Sequence, residues 1–480
     1  MGVLSCQGKT GRSWYVDDMI RRTGAVVTAV FRRIVPDPLV IAVVLTVVVF
    51  VAALWVGRYP DDVDTTLGRA GWLLDAWSSG DGLWKLLAFA MQMSLILLGG
   101  HVLAEAPPVR RLLGRLANIP RTAAGAAMLI GIVAMLLGIV NWGLGLIGGA
   151  IIARETGRSL SRRGVTAHYP LLAAAGYTGL LVWHGGLSGS APLSMTTPAG
   201  AAKVLPSSLA GTEVTTPLSE TVFSLENLLI TGGLLLIIPI LLGLMSPQTA
   251  HCEPIERFTP GEQDAPREAR NHATLPDLLN HTWWVTATLG LALLCAAISA
   301  TAASGIDRIG LNTVIMYLLA AALLLHRSPD AFMHAAARAA AGCAGIIVQF
   351  PLYAGIMGIM VAAGLIELLT GAMLELAGPQ TLEFWTMVSA GVVNILVPSG
   401  GGQWAVQGPI AIEAGRSAGV GTGPMVMAVA YGDELTNMLQ PFWALPLLAV
   451  TGVRARDIVG YTAIVMVAAG AWMTLWLLVL

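Results

Sequence analysis

The stretch Asn394-Ile-Leu-Val-Pro398-Ser399-Gly400-Gly401-Gly402-Gln403-Trp404 interrupts an apolar run with a proline, a serine and three consecutive glycines. Proline removes a backbone donor, and glycine weakens any helix around it. In hydrocarbon an unsatisfied N–H or C=O is costly, so such a break persists only where protein or a small aqueous cavity encloses it. Interrupted backbone at membrane depth is the usual setting of a solute site in a secondary transporter.

Composition agrees with a membrane setting. The chain has 480 residues, of which 55% are hydrophobic and 11% charged, with a mean hydropathy of +0.73. A soluble domain carries roughly 25% charged residues. The runs 36–57, 84–104, 225–245, 282–303, 309–326 and 457–480 are each about long enough to cross a bilayer core. The first follows a polar, basic segment and is too long for a signal-peptide core, so it reads as a true span. Cys6, Cys252, Cys295 and Cys343 show no paired or metal-like spacing and read as free thiols. The neighbourhood of His251 and Cys252 is too sparse for zinc.

Basic residues set the orientation. Segments 1–35, 105–122 and 153–169 hold six, four and four of them, whereas 58–83 has two, 194–224 only Lys203 and 368–384 none. With the N-terminus cytoplasmic, twenty-one basic residues fall inside and five outside. Segment 123–152 has arginines at both ends, from Arg110 to Arg121 before it and from Arg154 to Arg163 after it. A single crossing would put one cluster outside. A re-entrant hairpin turning near Asn141-Trp142-Gly143 keeps both inside. Treating 385–415 likewise, with its turn at Pro398–Gly402, gives about nine spans and two hairpins.

The two halves resemble each other. Pro170, Tyr177 and Pro192 in one are spaced as Pro424, Tyr431 and Pro446 in the other. Gln92 and Asn141 correspond loosely to Gln349 and Asn394. On the predicted topology 170–193 runs outward and 424–450 inward, so the repeats are inverted and their binding site falls at their interface. The expected organisation is a cytoplasmic segment 1–35, a first repeat 36–245, a cytoplasmic linker 246–281, a connecting span 282–303 and a second repeat 304–480. Each repeat holds one hairpin and one broken helix, about 170–193 in the first and about 424–450 in the second.

Four broken segments are predicted to converge: Asn141-Trp142-Gly143, Trp183–Ser190, Ser399–Gln403 and Tyr431–Pro441. The substrate candidates are Asn141, Trp142, Gly143, Ser188, Gly189, Ser190, Ser399, Gly400, Gly401, Gly402, Gln403, Asn437 and Gln440. Glycines admit a solute close to the backbone, and helix N-termini aim partial positive charge at it. No Lys or Arg lies in these segments. A carboxylate would be held by N–H groups and hydroxyls, which suits a small monocarboxylate better than a multiply charged anion. Trp142 and Trp404 read equally as cavity wall or as packing.

Asp433 and Glu434 are the carboxylates predicted deep in a span, where an ionised group is costly and a functional role is the default. Either could bind a proton or coordinate Na⁺, with Asn394 and Tyr431 close by. The competing placement puts both in an outer vestibule. His184 reads as a titrating group or as a satisfied packing residue. Gln92 and Gln349 read as interhelical glue or as ligands. No P-loop, nucleotide fingerprint or nucleophile elbow is present, which argues against ATP-driven pumping. Nothing fixes Ser, His and Asp in an enzyme geometry.

At Pro36–Val40, Asn141–Gly145, Ser188–Ser190, Val348–Gly355, Val397–Trp404 and Gln440–Pro446 the chain resembles the bacterial short-chain fatty acid transporter family. These stretches span nearly the whole chain in order. That family is similar to a broader ion-transporter superfamily of secondary carriers. The resemblance implies an all-α, inverted-repeat transporter in the inner membrane, working as a homodimer with an elevator-like motion. It also implies uptake of acetate-, butyrate- or acetoacetate-like substrates with a proton or Na⁺, without cofactor or nucleic acid. The family pattern has a glycine where His184 stands and one acid where Asp433 and Glu434 stand, and its 194–224 loop looks different. A carrier of dicarboxylates or amino acids, or an anion channel, is the alternative reading. Counterflow separates a carrier from a channel.

Overall fold

The computed structural model of the chain describes residues 26, 30, 33–34, 36–202, 204–205, 215–248, 252–259, 274–304 and 311–479. Cys6, Lys203, His251, nearly all of the 1–35 segment and residues 249–251 and 260–273 of the 246–281 linker lie outside the described residues. Among the described residues the regular structure is helical, with no strand.

The first half begins with α1 (Pro38–Val56), α2 (Thr66–Ser78), α3 (Leu87–Glu105) and α4 (Pro107–Ala117). It continues through α5 (Ala123–Val140), α6 (Trp142–Arg162), α7 (Tyr169–Tyr177) and α8 (Leu225–Leu244). The second half contains α9 (Trp283–Ser304), α10 (Leu311–Leu325), α11 (Pro329–Ala340), α12 (Ala344–Ala362) and α13 (Leu365–Leu374). It closes with α14 (Leu382–Leu396), α15 (Gly400–Ala418), α16 (Thr422–Thr436), α17 (Pro441–Thr451) and α18 (Ala455–Val479).

Among the described residues six helical stretches are long and apolar enough to cross a bilayer, or seven if the bent α3–α4 pair is one span. Four match predicted runs: α1, α8, α9 and α18. Run 84–104 becomes α3, which meets α4 at 71° where Pro107 and Pro108 stop the ladder. Run 309–326 becomes a shorter apolar helix, and Pro329–Ala362 is long and apolar enough as well. α1 buries only Ala42, Val49 and Ala53 and turns Val43, Val44, Val47 and Val51 outward. An apolar helix with an apolar exposed face has hydrocarbon as its natural neighbour.

α5 and α6 form an antiparallel hairpin. A Cβ built on Gly145 would lie 2.6 Å from Gly138 Cα, and one on Gly149 2.9 Å from Ala134 Cβ. α5 alone is long enough to cross, although the charge pattern predicted a re-entrant leg there. The turn at Asn141 is nevertheless buried inside the protein, with Asn141 at 5% exposure. α14 and α15 form the second hairpin, in which the Gln403 amide donates to the Ala390 carbonyl at 2.8 Å.

Each hairpin packs on a broken helix through glycine. In the first half a Cβ on Gly149 would fall 2.1 Å from the Gly176 carbonyl oxygen of α7. In the second, a Cβ on Gly432 of α16 would fall 2.1 Å from the Met387 carbonyl oxygen of α14. Small residues bring backbones this close where helix association gains little from the hydrophobic effect.

Both predicted broken helices are broken. α7 gives way to a 3₁₀ turn at Thr178–Leu181, irregular backbone over 182–189 and a helical turn at Ser190–Ser194. α16 gives way to a 3₁₀ turn at Asn437–Leu439 and an extended Gln440 before α17. The described part of the linker is pinned to the first half, because the Tyr169 amide donates to the Glu253 carbonyl at 2.9 Å. Cys252, Cys295 and Cys343 are free thiols.

Candidate functional site

Both breaks expose backbone donors, and the protein answers them unequally. At the first tip Asn141 is extended and caps α6, its Oδ1 accepting from Gly143 N–H at 2.9 Å and Leu144 N–H at 3.3 Å. The Trp142 N–H donates to Ser188 Oγ at 2.9 Å, and the Leu187 N–H to the Ile139 carbonyl at 2.7 Å. This tip is therefore stitched to the irregular 182–189 segment and its donors are occupied. At the second tip Ser399 Oγ accepts from Gly402 N–H at 3.2 Å and the Ser399 carbonyl from Gln403 N–H at 2.7 Å. Gly400 and Gly401, the first two residues of α15, make no such bond through their N–H groups, and Gly401 is exposed. Open donors at a helix N-terminus favour an anion.

The second tip rests on the first break. A Cβ on Gly400 would meet the Trp183 ring at 2.8 Å and His184 Cε1 at 3.1 Å, and one on Gly401 would face Ser190 at 3.8 Å. Gly189 has no room for a side chain, with the His184 carbonyl oxygen 2.1 Å from its built Cβ. Trp142, Trp183, Trp443 and Phe89 form an aromatic cluster behind the tips.

Asp433 and Glu434 lie inside the protein, at 1% and 0% exposure, and not in a vestibule. Glu434 Oε2 accepts from the N–H groups of His184 at 2.9 Å and Gly185 at 3.2 Å, two donors that the first break would otherwise leave bare. Asp433 Oδ2 lies 2.8 Å from His184 Nδ1. His184 Nε2 accepts from the Ala191 N–H at 3.0 Å. The network thus assigns the ring proton to Nδ1, which makes His184 a neutral donor to Asp433. Trp183 stacks on that ring at 4.3 Å. Asp433 Oδ1 and Glu434 Oε1 are buried with no hydrogen-bond partner. Among the described residues no Lys or Arg forms an ion pair with either acid.

Asn394, Asn437 and Gln440 meet at the second break. The Asn394 amide nitrogen lies 2.7 Å from the Asp433 carbonyl oxygen, 3.0 Å from Thr436 Oγ1 and 2.9 Å from Asn437 Oδ1. The Gln440 amide donates to the Asn394 carbonyl. Asn394 Oδ1, Asn437 Nδ2 and Gln440 Oε1 are buried with no partner.

The two tyrosines picked out by the repeat reach across to the opposite break. Tyr177 Oη lies 2.9 Å from the Asn437 carbonyl oxygen and 3.0 Å from that of Gln440. Tyr431 donates to Asn227 Oδ1 at 3.2 Å, and the Asn227 amide donates to the Gly185 carbonyl at 2.9 Å. Asn227, on α8, escaped the sequence reading. Its signal was a polar side chain just inside an apolar run.

Other candidates sit elsewhere. Gln92 donates to Asn312 Oδ1 at 2.7 Å, which joins α3 to α10. Gln403 turns into its own hairpin, toward Ala390 and Gln407. Trp404 is buried at 1% exposure in a cluster with Met425 and Val429. Gln349 lies on α12 with Oε1 unpartnered, one turn before Tyr353. Among the described residues no group of His, Cys, Asp and Glu could hold a metal ion.

Comparison with known proteins identifies relatives of the chain. The family described as short chain fatty acid transporter matches residues 19–480. A protein of Escherichia coli (strain K12) named "Putative short-chain fatty acid transporter" is 37% identical over 92% of this chain and 96% of its own length. One of the same name from Haemophilus influenzae is 34% identical over 94% of this chain and 98% of its own. Among solved structures, the YdaH transporter of Alcanivorax borkumensis gives a TM-score of 0.42 at 14% identity, covering 92% of this chain and 98% of that one. MtrF of Neisseria gonorrhoeae gives 0.40 at 18% identity, covering 93% and 96%.

Proposed function

Because the chain belongs to the short chain fatty acid transporter family, we propose that it carries short-chain monocarboxylates by secondary active transport, coupled to H⁺ or Na⁺. The observation that carries this reading is the buried Asp433–Glu434 pair, without Lys or Arg, at the meeting of the two breaks. Two carboxylates in a poorly screened interior repel an incoming carboxylate. A proton or cation taken up there first lowers that repulsion, and the anion's binding in turn favours the cation. Coupling thus follows from charge balance.

In this reading the Gly400 and Gly401 N–H groups, with Ser399 and Ser190 beside them, take the carboxylate. Asn394, Asn437, Gln440 and Tyr431 hold the second break in register beside the cation site. Ser188 and Asn141 keep the first tip closed on 182–189. The two hairpins are re-entrant, and the repeats are inverted within about nine spans. The hairpins and broken helices move as one body against the remaining helices, in a homodimer of the bacterial inner membrane with the N-terminus cytoplasmic. Such a carrier does no covalent chemistry.

Proteoliposomes containing the purified chain test this. They should accumulate radiolabelled acetate, butyrate or acetoacetate when a proton or sodium gradient is imposed. Accumulation that ignores both gradients would sink the coupled reading.

A further inference from the structure

A half-open space lies beside the second break, between α1, α12, α18 and residues 438–444. Its volume is about 220 Å³. Leu45, Ile395, Met438 and Ile458 give it an apolar wall, and Tyr353 and Gln440 complete it. An engineered apolar cavity of roughly 150 Å³ binds benzene, whose heavy-atom count matches that of butyrate. The space therefore admits a short alkyl chain with its carboxylate.

Its polar groups are selective. The Tyr177 hydroxyl is committed to the Asn437 and Gln440 carbonyls, the Gln440 amide to Asn394, and the Thr462 hydroxyl to Val459. Gln440 Oε1 can only accept, which does not suit a carboxylate. The Tyr353 hydroxyl remains. It is buried with no partner, in a residue 2% exposed. Such an orphan donor calls for a ligand. Its ring is held edge-on against Phe442, with centroids 4.9 Å apart.

α12 links this space to the second hairpin. Met357, four residues beyond Tyr353 on the same helix face, would lie 3.3 Å from a Cβ on Gly402. Tyr353 is therefore about one helical turn from the residue whose side chain reaches that tip.

We propose that this space is the subsite for the substrate's alkyl chain, with the Tyr353 hydroxyl donating to the carboxylate and Ile458 setting the chain length. The proposal rests on the carrier reading. Each buried methylene is worth roughly fourfold in affinity, so an apolar wall of this size favours butyrate over acetate.

The test is inhibition of radiolabelled acetate uptake by the unbranched acids from propionate to octanoate, in proteoliposomes of the full chain. Ile458→Trp, which fills the space, should remove inhibition by butyrate and longer acids while acetate still exchanges. Ile458→Ala should extend inhibition to longer acids. Tyr353→Phe should raise the half-saturation concentration about tenfold for every acid at unchanged maximal rate, as expected for a lost bond to a charged group. An unchanged chain-length profile in both Ile458 variants, or wild-type half-saturation in Tyr353→Phe, overturns the subsite and leaves the carrier standing. Wild-type liposomes that take up no monocarboxylate overturn both.

Discussion

His184 and Asp433, 249 positions apart in the chain, meet at 2.8 Å between Nδ1 and Oδ2 with both side chains buried. The contact ties the first broken helix to the second at the acid proposed to bind the coupling cation. Asp433→Asn keeps an oxygen for the imidazole N–H but removes the charge. Fold and detergent-solubilised Tm should stay near wild type, while gradient-driven accumulation falls by at least about tenfold and counterflow exchange persists. Undiminished accumulation would remove Asp433 from coupling.

Glu434 has a second task, separable from its charge. Its Oε2 accepts from two backbone N–H groups of the first break. Glu434→Ala leaves both donors buried and bare, at about 1–3 kcal/mol each. Glu434→Gln keeps an acceptor there. The expected order of Tm is wild type close to Gln and well above Ala, read by thermal denaturation in detergent. Equal Tm for Ala and Gln would mean that the carboxylate does not hold the break.

Much of this was legible in the chain. Proline removes a backbone donor and glycine weakens a helix, so the breaks near Ser188–Pro192, Pro398–Gly402 and Gln440–Pro441 could be located before any coordinates, although Pro239, Pro351, Pro409 and Pro446 lie inside helices. The Pro-Tyr-Pro spacing singled out Tyr177 and Tyr431, each of which hydrogen-bonds beyond its own helix. Side-chain facing was not legible. Gln403 stands next to the second tip in sequence, yet it begins a helix whose pitch turns it into the hairpin. The unequal tips could not be foreseen either, because besides the local Asn141 cap the first is silenced by Ser188, which accepts from the Trp142 N–H across 46 positions. Tyr353 was not singled out from the sequence; only tertiary structure shows its hydroxyl unpartnered.

The tyrosine cross-ties should differ in strength. Tyr177→Phe removes the bond to two buried carbonyls at the second break. Tyr431→Phe removes a donor to Asn227 Oδ1, which still accepts from Thr231 Oγ1 at 3.0 Å. Tyr177→Phe should therefore lower stability by about 1–2 kcal/mol, and Tyr431→Phe by about half that or less. Matched denaturation curves check the order, and a larger loss in Tyr431→Phe would contradict this account of the crossing.

The glycines divide into those that permit the fold and those that serve the solute. At Gly149 an added methyl would meet the Gly176 carbonyl oxygen at 2.1 Å, a backbone atom that cannot step aside. At Gly401 the nearest atoms within reach belong to Ser190, at 3.8 Å. Gly149→Ala should therefore cost about 3 kcal/mol or more through overpacking and depress the yield of folded protein. Gly401→Val should fold, since valine is no worse a helix former than the glycine it replaces and the nearest atoms leave it room at the exposed first turn of α15. Its isopropyl group would nevertheless cover the N–H groups proposed to take the carboxylate, and butyrate uptake should fall by about tenfold or more. Size-exclusion profile and apparent affinity, measured on the same preparations, separate the two effects. A well-folded Gly401→Val with normal affinity would take the second hairpin out of the substrate site.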